Sequence, residues 1–237
     1  MNTQNKDNSM QKEVTILAPA FNEENNLTLF AQSISTIIPS TWEILIVNDG
    51  STDNSEEELK KLSKEYKNFN YISHHKNLGL GKAFETGFKN INSKYVITID
   101  ADMSHGIEMI EILYENRNKA NIILGSIFDK ESNTEDASKL RLVISKLGNL
   151  VLSKLFKFNV KEIAGGPRLY ESKYIKNLMI ENSGFECQIE ILLKTKKKGA
   201  TFAEVPIILK VREHGVSKMN YLQMGIGILK VYKKLNR

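Results

Sequence analysis

The feature that most constrains the fold is an alternation of short apolar runs with amphipathic segments across residues 13 to about 130. Runs of β-type composition begin near residues 14, 43, 69, 95 and 121, and segments of helical periodicity separate them. Connections of only a few residues between such elements are typical of right-handed strand–helix–strand units with a parallel sheet. The sequence therefore predicts a three-layer α/β domain, with a mostly parallel central sheet and helices on both faces.

Polar side chains follow these predicted strands at the points where the strands end. Asn22 and Glu23 come after the first strand, and Asp49 comes after the second. Asp100 and Asp102 come after the fourth. Because ligands bind at the carboxyl ends of the strands in open α/β sheets, we expect these side chains to converge on one crevice. Their oxygens can accept hydrogen bonds from ribose hydroxyls and base N–H groups, so the pattern predicts a nucleotide site.

Asp100 and Asp102 are separated by a single alanine and place two carboxylates at one strand exit. Two unit charges roughly 4 Å apart repel by about 4 kcal/mol at an effective dielectric constant of about 20. A divalent cation would turn that repulsion into attraction and would also bind a diphosphate. The leading hypothesis is therefore a metal–diphosphate site. In the alternative reading, Asp100 caps the helix that follows from Ile107, and Asp102 is solvated.

Composition and missing motifs disfavour several classes of protein. The single cysteine, Cys187, allows neither an intramolecular disulfide nor a C-x-x-C metal site, and it fits a reducing cytosol. The sequence contains no G-x-G-x-x-G after the first strand, no P-loop, no G-x-S-x-G and no H-E-x-x-H. The net charge of +5 permits an anionic partner, but no nucleic-acid-binding pattern accompanies it. We therefore expect no nucleic acid partner.

Two segments of the second half have an amphipathic, basic character. No run of 18 apolar residues occurs, so we expect the chain not to span a membrane, and the polar residues 1–12 are expected to be a disordered start. A helix is predicted over residues 139–157, and a basic amphipathic helix over 216–237. The first helix is either a membrane-surface element or a surface helix that covers the sheet. Its apolar residues are Val143, Ile144, Leu147, Leu150, Val151 and Leu155.

Four motifs occur in order at the strand ends and carry a family resemblance. They are Pro19-Ala-Phe-Asn-Glu23, Val47-Asn-Asp-Gly-Ser-Thr-Asp53, Asn77-Leu-Gly-Leu-Gly81 and Asp100-Ala-Asp102. Together they resemble the ordered motifs of family 2 glycosyltransferases with the GT-A fold. Further along, the sequence is similar to the C-terminal signature of the dolichyl-phosphate mannose synthase branch, at Glu204-Val-Pro206, Arg212 and Gly215-Val-Ser-Lys-Met219.

The resemblance, which covers about residues 13 to 220, implies a domain plan and a donor substrate. A GT-A domain would occupy residues 13–215, with a nucleotide-sugar half (13–128) and an acceptor half (129–215). The donor would be a nucleoside diphosphate sugar, GDP-mannose or UDP-glucose, with a Mg or Mn ion held by Asp100 and Asp102. Of these two, Asp102 would be the direct metal ligand. The donor-binding residues implied by the motifs are Pro19, Asn22, Glu23, Val47, Asp49, Asp100, Ala101 and Asp102.

A missing base favours a phosphate as the acceptor. Inverting transfer to a hydroxyl needs a positioned carboxylate, and the Q-x-x-R-W motif of many hydroxyl-acceptor relatives is absent. A polyprenyl phosphate is already an anion and needs only cations that hold it beside the anomeric carbon. We therefore expect a peripheral enzyme on the cytoplasmic face of a membrane, in which Asp102, Arg212 and Lys218 are catalytic. The candidate phosphate-binding residues are Arg141, Arg168, Arg212 and Lys218.

Three positions depart from the family pattern and leave the acceptor open. Ile127 stands where the branch usually has an arginine after Gly-Ser, and Ser104 stands where a glutamine is common. The run from Glu162 to Arg168 replaces an Asp-Thr-x-Gly-Phe-Arg-like run. One alternative is transfer to a hydroxyl, with Glu186 as a candidate base. Another is a nucleotide-binding scaffold that docks on a membrane or partner and performs no chemistry, and a nucleotidyltransferase is a weaker alternative still.

Overall fold

The computed structural model describes residues 12–103, 105–128 and 139–207. Strands and helices alternate along the chain within these ranges, as the sequence predicts. In chain order they are β1 (Lys12–Ala20), α1 (Glu24–Ile37), β2 (Glu43–Asn48), α2 (Ser55–Glu65), β3 (Phe69–Ser73), α3 (Leu80–Asn90), β4 (Ser93–Thr98), α4 (Glu108–Glu115), β5 (Ile122–Ser126), α5 (Lys139–Leu155), β6 (Arg168–Glu171), α6 (Ser172–Ile175), α7 (Cys187–Lys197) and β7 (Phe202–Pro206).

The strands form one sheet in the order β3-β2-β1-β4-β6-β5-β7. Pairing is parallel from β3 to β4 and between β5 and β7, whereas β6 runs antiparallel to both of its neighbours. The chain moves from β1 to β2 on one side and later places β4 on the other side of β1. This reversal creates a topological switch point between β1 and β4, which is where open α/β sheets bind ligands.

Two apolar layers enclose the sheet, because alternate side chains of each strand point to opposite faces. One layer packs α1, α2 and α4 against β1, β2 and β4 through residues such as Phe30, Leu59 and Leu113. The other layer packs α3, α6 and α7, with Phe88 and Leu192 among its buried residues. Helices on both faces explain why the central strands are apolar along nearly their whole length. The predicted three-layer architecture is confirmed.

Some boundaries differ from the sequence-based expectation. The sequence predicts a helix from Gly184 to Lys198, whereas α7 begins at Cys187, so residues 184–186 belong to the preceding loop. Pro206 predicts an edge position or a bulge for its strand, and β7, which ends at Pro206, is the outermost strand on its side. The predicted tail helix over 216–237 and the expected disordered start lie outside the described residues, apart from Lys12. None of the helices in the described ranges is long and apolar enough to cross a bilayer.

Candidate functional site

The carboxyl ends of β1, β2, β3 and β4 meet at one edge of the sheet, as expected. The start of β6 and the ends of β5 and β7 lie at the same edge. Arg168, the first residue of β6, is level with Thr98 of β4 on one side and with Leu124 of β5 on the other. Ser126 of β5 in turn pairs with Pro206 of β7. The loops that leave these strands therefore form one continuous rim, from residue 74 on one side to residue 207 on the other.

The loops after β1 and β2 are locked together by reciprocal hydrogen bonds. The backbone N–H of Asn22 donates to Ser51 Oγ at 2.9 Å, and Asn22 Oδ1 accepts the Thr52 N–H at 2.8 Å. Asn22 itself has φ of 55°, a left-handed conformation that asparagine tolerates better than most residues. The side chain predicted to bind a nucleotide therefore also fixes the relative position of the two loops.

A second pair of hydrogen bonds joins the same two loops at the next residues along the chain. The N–H of Glu24 donates to Asp53 Oδ2 at 3.2 Å, while Glu24 Oε2 accepts the N–H of Asn54 at 2.8 Å. The neighbouring Glu23 donates its N–H to Ser55 Oγ at 3.0 Å. Both α1 and α2 begin within these loops. Each loop thus accepts hydrogen bonds from N–H groups at the start of the other loop's helix, which have no partner inside that helix. Hydrogen bonds within the protein therefore fix the edge of the sheet at which a nucleotide is predicted to bind.

Asp49, predicted to bind the donor, is 4% exposed and holds the loop after β3. Its carboxylate accepts the N–H of Leu78 at 2.9 Å and of Gly79 at 2.7 Å, and Oδ1 lies 2.6 Å from His74 Nδ1. A carboxylate offers about four acceptor positions, so these three contacts leave about one for a ligand. Asp49 therefore positions the loop and retains the capacity for one donor from a base.

His74 is a part of this site that the sequence analysis missed. Its Nε2 lies 2.9 Å from Thr86 Oγ1 on α3, so the imidazole joins Asp49 to that helix. The signal was present, because His74 directly follows β3 just as the predicted ligands follow the other strands. Only the motif Asn77-Leu-Gly-Leu-Gly81 of this loop entered the prediction from the sequence.

The loop that contains residues 181–183 packs against Gly81, the first residue but one of α3. The N–H of Gly81 donates to the carbonyl of Ser183 at 3.2 Å. A Cβ added to Gly81 would lie 1.9 Å from the carbonyl oxygen of Asn182, so a larger residue would displace this loop. Glu190 secures the loop by accepting N–H groups from Glu181 and Asn182 at 2.9 Å each. The buried Glu190 is a second positioning residue that sequence patterns did not reveal.

Asp100 and Asp102 lie just beyond β4, beside the switch point. The side chain of Asp100 is 47% exposed, and its Oδ2 is 3.5 Å from His105 Nδ1. Helix α4 begins at Glu108 with Ile107 as its N-cap residue, so the alternative in which Asp100 caps that helix is wrong. Ala101, which lies between the two aspartates, is buried, so its side chain points toward the core.

The carboxylates of Asp100 and Asp102 fit a divalent metal whose remaining ligands come from the substrate. Carboxylate oxygens are the ligands that Mg²⁺ and Mn²⁺ prefer. No group of three or more His, Cys, Asp or Glu side chains that could hold a metal is found within the described ranges. Mg²⁺ is usually bound by one or two carboxylates together with substrate phosphates, and a pair of aspartates matches that arrangement.

Two residues of the predicted donor site, Val47 and Pro19, lie level with each other on neighbouring strands. Val47 is fully buried, and its side chain packs in the core layer that contains Leu17 and Phe84. Pro19 is half-buried at the rim. The assignment of both residues to the donor site stays a prediction from the sequence.

Arg168, predicted to bind the acceptor phosphate, lies in the core instead. It is 0% exposed, and its guanidinium donates to the carbonyls of Gln188 and Ile163 at 2.9 Å each. Its Nε has no hydrogen-bond partner in the described structure. A cation whose donors are taken up by main-chain carbonyls does not reach a substrate phosphate. The role proposed from the sequence is corrected to a structural one.

The same region contains a buried acid. Burial raises the pKa of Glu162 to about 7, although the nearby Arg168 guanidinium opposes the shift. The Glu162 carboxylate accepts hydrogen bonds from Asn149 and from the N–H of Ile127. Glu204 of β7 accepts the N–H groups of Lys161 and Glu162 at 2.9 Å and 2.7 Å. The end of β5 and the loop before β6 are thus bound together through buried polar groups.

Helix α5 faces the protein with its polar side. Asn149 Oδ1 accepts the N–H groups of Ile163 and Ala164, both at 2.9 Å, and Ser153 bonds to the carbonyl of Val160. The opposite face is apolar and exposed, with Val151 63% exposed. Of the two readings of this helix, the exposed apolar face favours a membrane-surface element over a simple cover for the sheet. The exposed apolar side chains are Val143, Ile144, Leu147, Val151 and Leu155.

Several predicted site residues lie outside the described part of the structure. Arg212, Lys218 and Ser104 are among them, and of Arg141 only the backbone, within α5, is described. Their assignments remain predictions from the sequence.

Comparison with known proteins gives a consistent family assignment. The model of "Glycosyl transferase family 2" matches residues 15–179. A dolichol-phosphate mannosyltransferase of Pyrococcus furiosus is 30% identical over 212 residues, which are 87% of this chain and 59% of that protein. The chain therefore spans less than two thirds of that relative. An undecaprenyl-phosphate mannosyltransferase of Micrococcus luteus is 26% identical, with 92% of each protein covered.

Solved structures support the fold. Glucosyl-3-phosphoglycerate synthase from Mycobacterium tuberculosis, in complex with Mn²⁺, UDP and glucosyl-3-phosphoglycerate, superposes with a TM-score of 0.69 at 16% sequence identity. The match covers 94% of this chain and 78% of that one. The architecture is accordingly the GT-A fold, as the motifs implied.

Proposed function

This chain belongs to glycosyltransferase family 2, in the dolichyl-phosphate mannose synthase-like branch, and we propose that it transfers a hexose from a nucleoside diphosphate sugar to a polyprenyl phosphate. The hexose is mannose or glucose, and the transfer inverts the anomeric centre. The observation that carries the proposal is the place of Asp100 and Asp102, beside the switch point and next to the interlocked loops after β1 and β2.

The nucleoside lies across the ends of β1 and β2 in this proposal. Asn22 and Glu23 present polar groups from the first loop, and Asp49 has one acceptor position left for a base N–H. Because these loops are already bonded to one another, little conformational freedom is lost when the nucleotide binds. The diphosphate then extends toward β4.

Asp100 and Asp102 would hold a divalent metal, Mg²⁺ or Mn²⁺, which would supply positive charge to the diphosphate leaving group. Asp102 would be the direct ligand. The work of the protein is to place the two carboxylates at the end of β4, where Ala101 is anchored in the core. This rigid placement matters because charge stabilisation is effective only when the charged groups are already oriented.

The acceptor needs no general base when it is a phosphate. A phosphomonoester oxygen is ionised at neutral pH and can attack the anomeric carbon directly, once it is held in line with the leaving group. Arg212 and Lys218 are proposed to supply cationic charge from the C-terminal side. The named activities of the Pyrococcus and Micrococcus relatives, both transfers that involve a polyprenyl phosphate, support this acceptor class.

The exposed apolar face of α5 supports attachment to a membrane surface, where such an acceptor resides. A helix that binds the protein through Asn149 and Ser153 and exposes aliphatic residues has the orientation that an interfacial helix requires. Basic residues such as Lys154 flank that face and favour anionic headgroups. We propose a peripheral association on the cytoplasmic side.

A transfer assay with a panel of substrates tests the proposal. The protein is incubated with Mn²⁺ and radiolabelled GDP-mannose, UDP-glucose or UDP-N-acetylglucosamine, with and without polyprenyl phosphate. We expect label in an organic-extractable, mild-acid-labile product, only when the lipid phosphate is present and only with one or two of the donors. EDTA should abolish the transfer.

The other outcomes separate the alternatives. Transfer to a hydroxyl acceptor and not to polyprenyl phosphate would overturn the proposed acceptor and would direct attention to Glu186. Binding of nucleotide with no turnover for any donor would identify a scaffold that performs no chemistry.

A further inference from the structure

Two lysines from different segments converge on one aromatic ring at the end of β5. Lys146 of α5 lies with Nζ 5.8 Å from the centroid of the Phe128 ring, and Lys161 of the loop before β6 lies with Nζ 6.0 Å from it. Phe128 lies two residues beyond the end of β5, and its N–H donates to Ser126 Oγ at 3.2 Å. Two ammonium groups are thus brought to the same rim that holds Asp100 and Asp102.

Neither lysine forms an ion pair with a carboxylate in the parts of the chain that the structure describes. Elsewhere in those parts, Lys82 pairs with Glu85 and Lys194 pairs with Glu190. Two acids of this region, Glu162 and Glu204, accept main-chain N–H groups. Two ammonium groups that lie near one ring, and that pair with no carboxylate of the described residues, form a site suited to an anion.

The position of this pair relative to the aspartates matches the size of a sugar. The ends of β4 and β5 are separated by β6, so they lie about 10 Å apart at the usual spacing of strands. The start of β6 is preceded by Gly165 and Gly166, and a Cβ added to Gly165 would have no atom within 4 Å. The rim between the metal-binding aspartates and the lysines is therefore low and open.

We propose that Lys146 and Lys161, whose Nζ atoms lie 5.8 Å and 6.0 Å from the centroid of the Phe128 ring, bind the phosphomonoester of the acceptor, with the hexose over Gly165 and Gly166. This inference rests on the proposed function and identifies residues for its acceptor side. It also accounts for Ile127, where the family pattern has an arginine, because positive charge reaches the same strand end from α5 and from the loop before β6.

The transfer step needs no acid or base on the acceptor side besides the two lysines and the acceptor phosphate. An oxygen of the acceptor phosphate forms a bond to the anomeric carbon, and the bond from that carbon to the diphosphate oxygen breaks. The electron pair of the broken bond leaves with the nucleoside diphosphate. No proton is taken from the acceptor, because its phosphate is already ionised. The lysines hold the phosphate in place and accept no electrons or protons.

Equilibrium binding tests the proposal independently of turnover. Calorimetry compares a ten-carbon prenyl phosphate with the matching prenyl alcohol, in the wild type and in the double variant Lys146→Gln/Lys161→Gln. The wild type should prefer the phosphate, and the double variant should lose about tenfold or more of that preference, as expected when charge-assisted hydrogen bonds are removed. Lys176→Gln, at an exposed lysine directly after α6, should keep it.

The kinetic readout separates this proposal from the proposed function. The KM for prenyl phosphate should rise in the double variant while the KM for the sugar donor stays unchanged. A double variant that retains the full preference for phosphate over alcohol overturns the assignment, even if the wild type is an active transferase. If no sugar is transferred to any lipid phosphate but the preference is still lost, the anion site stands and the proposed function fails.

A third ligand distinguishes the two sources of a phosphomonoester. 3-Phosphoglycerate is titrated in parallel with the prenyl phosphate. Lysine-dependent binding of the prenyl phosphate alone supports a lipid acceptor, and equal lysine-dependent binding of both supports phosphate recognition that extends to small metabolites. Lysine-independent binding of both contradicts the site.

Discussion

The proposed donor half (residues 13–128) and the proposed acceptor half (residues 129–215) differ in where their polar groups lie, within the residues that the structure describes. In the donor half, polar side chains sit at strand ends and bond to neighbouring loops, as Asn22 does with Ser51 and Thr52. In the acceptor half, Arg168 and Glu162 are buried behind the rim, while apolar side chains of α5 face outward. In the proposed function, the interlocked loops of the donor half suit a small polar ligand, whereas the exposed apolar face of the acceptor half suits a lipid.

This contrast has a physical basis. A nucleotide presents many hydrogen-bonding groups in a fixed geometry, so a site whose loops are already locked binds it at a low entropic cost. A polyprenyl chain stays in the bilayer and offers the protein little beyond its phosphate. The proposed function therefore requires the acceptor half to approach a membrane, and the exposed aliphatic side chains of α5 suit that approach.

The largest effect should come from the donor half, at Asp102. We expect Asp102→Ala to lower the turnover number by about 10⁴-fold, equivalent to about 5.5 kcal/mol of transition-state stabilisation. The physical reason is the loss of a metal ligand at the leaving group. Steady-state transfer measures this effect, with the exposed Glu111→Ala on α4 as the control. Activity close to that of the wild type would remove Asp102 from the metal site.

The next effect should be on stability and should arise in the acceptor half. Arg168→Met removes the buried guanidinium and leaves the carbonyls of Ile163 and Gln188 without donors, at an expected cost of about 4 kcal/mol. Urea denaturation measures the change, and the exposed Lys173→Met should cost no more than about 0.5 kcal/mol. A stable Arg168→Met variant with a raised KM for the lipid phosphate would restore the role predicted from the sequence.

Glu162 predicts a pH dependence of stability in the same region. Its pKa is about 7 in the folded protein against an ordinary value of 4.5, so the folded state binds the proton more tightly. Stability should therefore fall as the pH rises from about 4.5 to about 7, by about 3 kcal/mol, and then level off. Glu162→Gln should lack this fall, whereas the exposed Glu115→Gln should show it. If the free energy of unfolding changed with pH in the same way for the wild type and for Glu162→Gln, burial would cost the ionised Glu162 little free energy.

The smallest of these effects concerns the outer face of α5. Val151→Ser should weaken binding to vesicles that contain anionic lipid by about 1.5 kcal/mol, roughly tenfold, because one aliphatic side chain no longer enters the bilayer. Sedimentation with vesicles gives the partition coefficient. Met179→Ser is the matched control, since Met179 is 73% exposed but lies away from α5. Equal losses for the two variants would show that α5 is not the contact surface.

The sequence predicted the fold well because its two periodicities are unambiguous. Apolar runs such as the one from Tyr95 are followed by amphipathic helices, and the short connections allow few topologies. The convergence of Asn22, Asp49 and Asp102 on one edge followed from the rule that parallel strands end together. These inferences depend only on local pattern and on chain direction.

What the sequence did not reveal depends on contacts between distant residues. The pairing of His74 with Asp49 joins two loops, and no local pattern links them. The charge of Arg168 indicated a surface position, but its burial depends on carbonyls supplied by two other segments. The apolar stripe of α5 was visible, yet periodicity does not say which face of a helix meets the core. Only the bonds of Asn149 and Ser153 decide that question.

The most direct test of the account is a calorimetric titration of the wild-type protein with a nucleoside diphosphate, GDP or UDP, in the presence of Mn²⁺ and in the absence of lipid. A donor edge that is already assembled should bind one of the two nucleotides at a single site without any acceptor, and EDTA should remove the binding. Binding that is unchanged by EDTA, or that appears only when lipid is added, would contradict the view that Asp100, Asp102 and the interlocked loops form a pre-built donor site.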